Sequence, residues 1–323
     1  MLTEVMEHFS LIKSFSKAGY YETESQKQMF KDIRIAIQSG RLVAITGIIG
    51  CGKTVTLRRL FEVLEKEGKI LVSKSLSVDK DRATLPTLIA ALFYDLSTDK
   101  EIIIPKEGEK RERKLRELIR KCKKPVALFI DEAHDLHYST LTGLKRLIEI
   151  VEDGGGTLSI ILAGHPKLKN DLRRPSMEEI GYRATVFSLE SIAGFQQQYI
   201  EWLLSECTAP NTSVNDLLQA EAIELLATHL RTPLQIEQHL TLAFESAYLA
   251  GVKPVTPVII QSILSKKIDD LEPTLIRHGY NIKDLVEQFN AKPAEIKLLF
   301  RGQLDPARAR ELQEEMLAAG LPL

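Results

Sequence analysis

The sequence predicts an α/β fold, a central parallel sheet of five strands followed by helices to the C-terminus. Three observations carry that expectation. The loop Gly47-Ile48-Ile49-Gly50-Cys51-Gly52-Lys53-Thr54 lies between a short apolar run, Leu42–Thr46, and a segment with helical spacing (Leu57, Leu60, Phe61, Leu64). Further apolar runs at Ile70–Ser73, Val126–Ile130, Thr157–Ala163 and Arg183–Leu189 read as strands, the longer ones with the continuous hydrophobicity of strands buried on both faces. From residue 191 onward the apolar positions recur at helical spacing.

The loop spells G-x-x-x-x-G-K-T, a complete P-loop. Glycines let backbone N–H groups close around phosphate oxygens with no Cβ in the way. The strand–loop–helix context sets those phosphates at a helix N-terminus, where the dipole favours anions. Gly47, Gly50, Cys51, Gly52, Lys53, Thr54 and Val55 are therefore expected to surround the triphosphate of ATP. Lys53 is assigned to the β- and γ-phosphates and the Thr54 hydroxyl to Mg²⁺. Cys51 is read as a small residue filling the loop.

Bulk properties narrow the field. At 323 residues the chain has room for two or three domains. Its net charge of −1 gives no global attraction to nucleic acid or membrane, so any nucleic-acid site must be a local patch. The first ten residues carry Glu4 and Glu7 and no long apolar core, unlike a secretory signal. No apolar stretch approaches the ~20 residues that span a bilayer. Cys51, Cys122 and Cys207 have no metal or redox spacing, and a reducing cytoplasm is the expected setting.

A P-loop hydrolase needs an acidic strand end beside it. Asp131-Glu132 follows the apolar run Val126–Ile130 at once. Asp131 is expected to hold Mg²⁺, and Glu132 to orient or deprotonate the attacking water. Asp131-Glu132-Ala133-His134 also spells the DEAH box of some helicases, but the chain is too short for their second motor domain. His134 is read as a packing or hydrogen-bonding residue. The run Thr157–Ala163 ends in Gly164-His165-Pro166, where His165 is either a γ-phosphate sensor or a turn histidine. Arg173, Arg174 and Arg183 lie around the corner from the next helix into the last strand. Each is a candidate to reach a neighbouring subunit's nucleotide, or a surface arginine; Arg183, just before the strand, is favoured.

The ordered set of P-loop, acidic strand end, His165 strand end and arginine before the last strand resembles the AAA+ ATPases. Phe9-Ser10-Leu11, Phe15, Tyr20-Tyr21-Glu22-Thr23 and Gly164-His165-Pro166-Lys167-Leu168 narrow the likeness. Over about residues 8–265 the chain looks like the ExeA-type group and the related transposition-regulator ATPases of the TnsC and MuB kind. That resemblance implies a helical lid, assembly with ATP into rings or helical filaments on double-stranded DNA, a transposase partner, and disassembly on hydrolysis. It also implies a lid arginine straight after a proline, but here Pro233 is followed by Leu234, with Arg231 displaced. The competing functions are a secretion-assembly ATPase of the ExeA kind, a replication initiator or loader, and a nucleotide-binding scaffold with little turnover.

Three parts are expected: a nucleotide-binding α/β domain over 1–190, a helical lid over 191–267, and a small all-helical domain over 268–323. Residues 106–124 hold ten basic side chains against four acidic ones, with Leu115, Leu118, Ile119 and Cys122 on one helical face. The opposite face is either merely solvated or a track for DNA phosphates, with Lys106, Lys110, Arg111, Arg113 and Lys114 as the candidate contacts. Helices are expected over 24–39, 84–96, 194–206, 217–230, 233–250, 257–266, 275–280, 282–289, 293–300 and 306–319, and a broken one over 168–180. The pair around Asn290–Pro293 resembles a helix-turn-helix, open to DNA contact, protein contact or simple packing.

Overall fold

The computed structural model describes residues 1–74, 84–97, 103–173, 177–181, 184–190, 192–210, 212–264 and 270–323. From the N-terminus, α1 (Thr3–His8) and a 3₁₀ turn (Phe15–Lys17) precede α2 (Glu24–Gln38) and β1 (Leu42–Thr46). After the P-loop come α3 (Lys53–Glu67), β2 (Leu71–Lys74), α4 (Leu85–Leu96), α5 (Gly108–Cys122) and β3 (Val126–Ile130). Next are α6 (Tyr138–Asp153), β4 (Leu158–Gly164), α7 (Pro166–Leu172), α8 (Glu178–Gly181) and β5 (Ala184–Ser188). The rest is helical: α9 (Gln196–Cys207), α10 (Ala220–His229), α11 (Pro233–Leu249), α12 (Pro257–Ile263), α13 (Leu271–Arg277), α14 (Ile282–Gln288), α15 (Pro293–Phe300) and α16 (Pro306–Ala318).

The five strands that the apolar runs predict pair in parallel, in the order β2-β3-β4-β1-β5. β1, β3 and β4 are buried along their whole length, which is why they read as unbroken hydrophobic runs. The edge strands β2 and β5 are only half-buried. Their order sets the carboxyl ends of β1, β3 and β4 side by side, where parallel sheets place their ligands. One buried hydroxyl fixes the register. Ser159 in β4 donates to the Ile37 carbonyl at 2.8 Å and accepts from the Arg41 amide at 3.1 Å, closing the turn between α2 and β1.

Contacts group the chain into two compact units that differ from the three-part division expected from sequence. The first is Met1–Thr23, Ile49–Gly52 and Glu190–Leu323; the second is Glu24–Ile48 and Lys53–Leu189. The N-terminal residues join the helical unit because their aromatics complete its core. Phe9 packs edge-on against Phe244 at 4.6 Å between ring centroids, and Phe15 does so at 5.5 Å. Residues 271–321 gather a separate apolar cluster around Tyr280, Leu285, Ile296, Leu312 and Met316.

Several helix ends differ from the sequence expectation. α10 starts at Ala220, not 217, because Leu218 bridges to Val255 and a 3₁₀ turn occupies Val214–Asp216. α13 begins at Leu271, because Pro273 sits in its first turn, where a missing N–H costs nothing, and it ends before Gly279 at φ +90°. The break expected at Pro175 lies outside the described residues. Among the described residues no helix is long and apolar enough to cross a membrane.

Candidate active site

The site is built at the ends of three strands. β1 runs into the P-loop, whose Gly50 (φ +80°) and Gly52 (φ +96°) hold left-handed conformations that a side chain would resist. Within the first unit, the Leu234 amide donates to the Gly50 carbonyl at 3.3 Å. A Cβ on Gly50 would come 2.9 Å from Thr232 Oγ1. The loop's first residue is tied to β4, since the Gly47 amide donates to the Gly164 carbonyl at 3.1 Å.

Lys53 opens α3 and is buried. Its ammonium donates to the carbonyls of Gly47 (2.9 Å) and Ile48 (3.1 Å), and lies 3.3 Å from His165 Nδ1. An ammonium has only donors, so His165 Nδ1 accepts and the ring proton sits on Nε2. The adjacent Thr54 is exposed, and its Oγ1 donates to Asp131 Oδ2 at 2.8 Å. Thus a hydroxyl from α3 and a carboxylate from the end of β3 meet at a solvent-facing point. That oxygen pair fits Mg²⁺, a hard ion held by few protein oxygens and otherwise by water and phosphate.

Glu132 departs from regular backbone. It sits at φ +54°, ψ +37°, rare for a residue with a long side chain, and its amide is held by Asp131 Oδ1 at 2.9 Å. Backbone strain of this kind gathers at functional positions. The turn also needs Gly164, because a Cβ there would lie 3.2 Å from the His134 amide nitrogen. Glu132 Oε2 ends 3.9 Å from His165 Nε2 and 3.4 Å from His134 Nδ1. The two imidazoles lie 3.8 Å apart between centroids, their planes tilted by 47°.

The structure thus brings Lys53, Thr54, Asp131, Glu132 and His165 together. It adds His134, which the sequence suggests as a packing or hydrogen-bonding residue more than a catalytic one. Its sole sequence signal is position, two residues after Glu132. Burial pushes the His134 imidazole below the ordinary histidine range, with the Asp135 and Glu132 carboxylates opposing, so the ring is neutral at pH 7. Arg173 lies at the exposed end of α7. Arg174 and Arg183 lie outside the described residues. Of the candidate DNA contacts, Lys106, just before α5, and Lys110, Arg113 and Lys114 on it are exposed, and Arg111 is half-buried. Lys110 pairs with Glu107 at 2.8 Å, and Lys114 donates to the Ile103 carbonyl at 2.7 Å.

Residues 35–172, from α2 to the end of α7, match the family described as the AAA domain. Over that stretch the chain is similar to AAA domains. Its P-loop, acidic strand end and strand-end histidine all lie within that matched stretch. A 170-residue stretch, 51% of the chain, is 28% identical to General secretion pathway protein A of Aeromonas hydrophila. The chain spans 30% of that relative's length. Among solved structures, Cdc6p from Pyrobaculum aerophilum aligns over 98% of this chain and 90% of its own, with TM-score 0.53 and 15% identity. Drosophila ORC bound to DNA aligns over 98% and 83%, with TM-score 0.54 and 17% identity. These likenesses establish an AAA+ fold.

Proposed function

We propose that this chain is an ATP-gated, DNA-binding regulator of transposition. With ATP it assembles on double-stranded DNA as a ring or filament and recruits or activates a transposase; on hydrolysis it lets go. The gating rests above all on the 2.8 Å contact between Thr54 and Asp131 beside Lys53 and Glu132. Thr54 and Asp131 would hold Mg²⁺, which would offset the negative charge that builds on the phosphates. Glu132 takes a proton from water as its oxygen attacks the γ-phosphorus, and the bond to the β-phosphate oxygen breaks. Lys53 leaves the Gly47 and Ile48 carbonyls for the phosphates. His165 lies between Lys53 and Glu132, and so couples phosphate binding to the base. An arginine of a neighbouring copy, Arg183, Arg174 or Arg173, completes the site. DNA is held by the exposed basic face of α5. The α/β part (1–190) performs hydrolysis, the lid (191–267) follows the nucleotide, and the cluster at 268–323 contacts DNA or the transposase.

The stretch similar to General secretion pathway protein A favours a second reading, a secretion-assembly ATPase. A replication-initiator role has likeness of fold alone behind it. The discriminating experiment measures assembly on DNA with ATP or a non-hydrolysable analogue. Glu132→Gln should bind ATP normally, lose about 10²–10⁴-fold in hydrolysis and accumulate on DNA. Lys53→Ala should abolish ATP-dependent assembly. A wild-type protein that ignores DNA with either nucleotide would overturn the DNA reading and leave the secretion one.

A further inference from the structure

Glu132, His134 and His165 form a cluster whose second imidazole, His134, has no part in the phosphate chemistry above. Among the described residues, Glu132, His134 and His165 are the one group of three metal-ligating side chains whose donor atoms all lie within 4.8 Å of one another. We propose that they form a binding site for a borderline transition-metal ion of the Zn²⁺ class, and that the bound ion switches hydrolysis off.

The distances suit such an ion. Tetrahedral zinc with bonds of about 2.0–2.1 Å sets its ligand atoms about 3.3–3.4 Å apart. Glu132 Oε2 to His134 Nδ1 is already 3.4 Å, and Glu132 Oε2 to His165 Nε2 is 3.9 Å. All three donor atoms lie within 4.8 Å of one another, so side-chain rotation of the two imidazoles has to bring them the rest of the way onto the ion.

The positions are built into the fold. Both imidazole side chains are 13% exposed and the Glu132 side chain 31%. Glu132 is fixed by its left-handed backbone and by Asp131; His165 is held between β4 and Pro166 at the first turn of α7; and the rings brace each other. Two nitrogens and one oxygen with a fourth position open make a His₂Glu set, which zinc takes. Mg²⁺ prefers the all-oxygen pair at Thr54 and Asp131, so the two ions do not compete for ligands.

Two consequences follow. A metal on His165 Nε2 moves the ring proton to Nδ1, which then can no longer accept from Lys53; the ion and the present Lys53 contact exclude each other. A Glu132 carboxylate bound to metal cannot take a proton from water. This second consequence rests on the hydrolytic role given to Glu132; the site itself does not.

The test therefore reads metal directly. The full-length protein is equilibrated with Zn²⁺ in excess Mg²⁺ and dialysed, and bound zinc is measured; Co²⁺ is used in parallel for its visible bands in tetrahedral sites. Wild type should retain a single equivalent and show those bands. His134→Ala and His165→Ala should each bind at least about 10–100-fold more weakly and lose the bands. Binding of a fluorescent nucleotide analogue reports that each variant is folded. Zinc should suppress wild-type ATPase activity at concentrations that leave the residual rate of His134→Ala unaffected. Wild type without retained zinc, or a His134→Ala protein that keeps its full equivalent, would overturn the site. A wild type that retains zinc but shows no ATPase activity with Mg²⁺ before zinc is added would instead sink the hydrolytic assignment and leave the site standing.

Discussion

At the residue scale the P-loop does two things at once. Gly50 adopts φ +80°, and its missing side chain leaves room for Thr232 and Leu234. Alanine there resists a left-handed backbone by about 1–2 kcal/mol, before any crowding. Gly50→Ala should therefore raise the nucleotide dissociation constant by about 5–30-fold, since ~1.4 kcal/mol is a factor of ten. Gly108→Ala, at a position with open space around it, is the control and should bind normally. Titration with a fluorescent ATP analogue reads both; equal affinities would show that the loop's conformation is not what holds the phosphates. Single residues were legible in sequence where spacing is local. The P-loop and Asp131-Glu132 declare themselves within a few positions, because phosphate and metal chemistry demands them in that order. The His134–His165 contact does not, because it is made only when β3 and β4 pair. The left-handed Glu132 is equally silent, since nothing in the letters D-E-A-H marks a positive φ.

At the scale of elements, burial on both faces made β1, β3 and β4 readable as apolar runs. The order in which they pair is set by packing, not by any one run. Helix existence followed from periodicity; helix ends did not, because tertiary partners such as Val255 capture the flanking residues. The most distinctive helix is α5, which buries Leu115 and Ile119 and exposes Lys110, Arg113, Lys114, Arg120 and Lys121. Lys110 and Lys114 must exchange Glu107 and the Ile103 carbonyl for phosphate if they contact DNA. Phosphate contacts release counterions, about 0.9 in the slope of log K against log salt for each one. Replacing Lys110, Arg111 and Lys114 together with Ala should flatten that slope by up to about 2.7 in a filter-binding series. An unaltered slope would take α5 off the DNA face and leave its charge as a solvated surface.

At the scale of the whole molecule, the helical unit is made from both ends of the chain. Phe9, Phe15, Tyr21 and their neighbours attract notice in the sequence only as a resemblance, with no hint of where they pack. In the structure Phe9 and Phe15 meet Phe244 of α11, Leu11 bridges to Thr208, and Tyr21 lies 5.1 Å from Trp202 between ring centroids. This is a non-local core, and no window of sequence can show it. Its energetic consequence is local to one unit. Phe9 is fully buried, and truncating such a ring costs about 3–5 kcal/mol through lost transfer energy and the cavity left behind. The apolar cluster of the sheet is a separate set of residues that includes none of these. Phe9→Ala should therefore lower amide protection along α9 and α11 by a factor that matches that cost, while amides of β1, β3 and β4 keep theirs. Hydrogen exchange resolved by peptide measures both sets in one experiment. Equal losses in helices and strands would mean that the two units unfold as one body and that the division by contacts has no thermodynamic meaning. Loss confined to α9 and α11 would identify the N-terminal segment as a structural part of the helical unit.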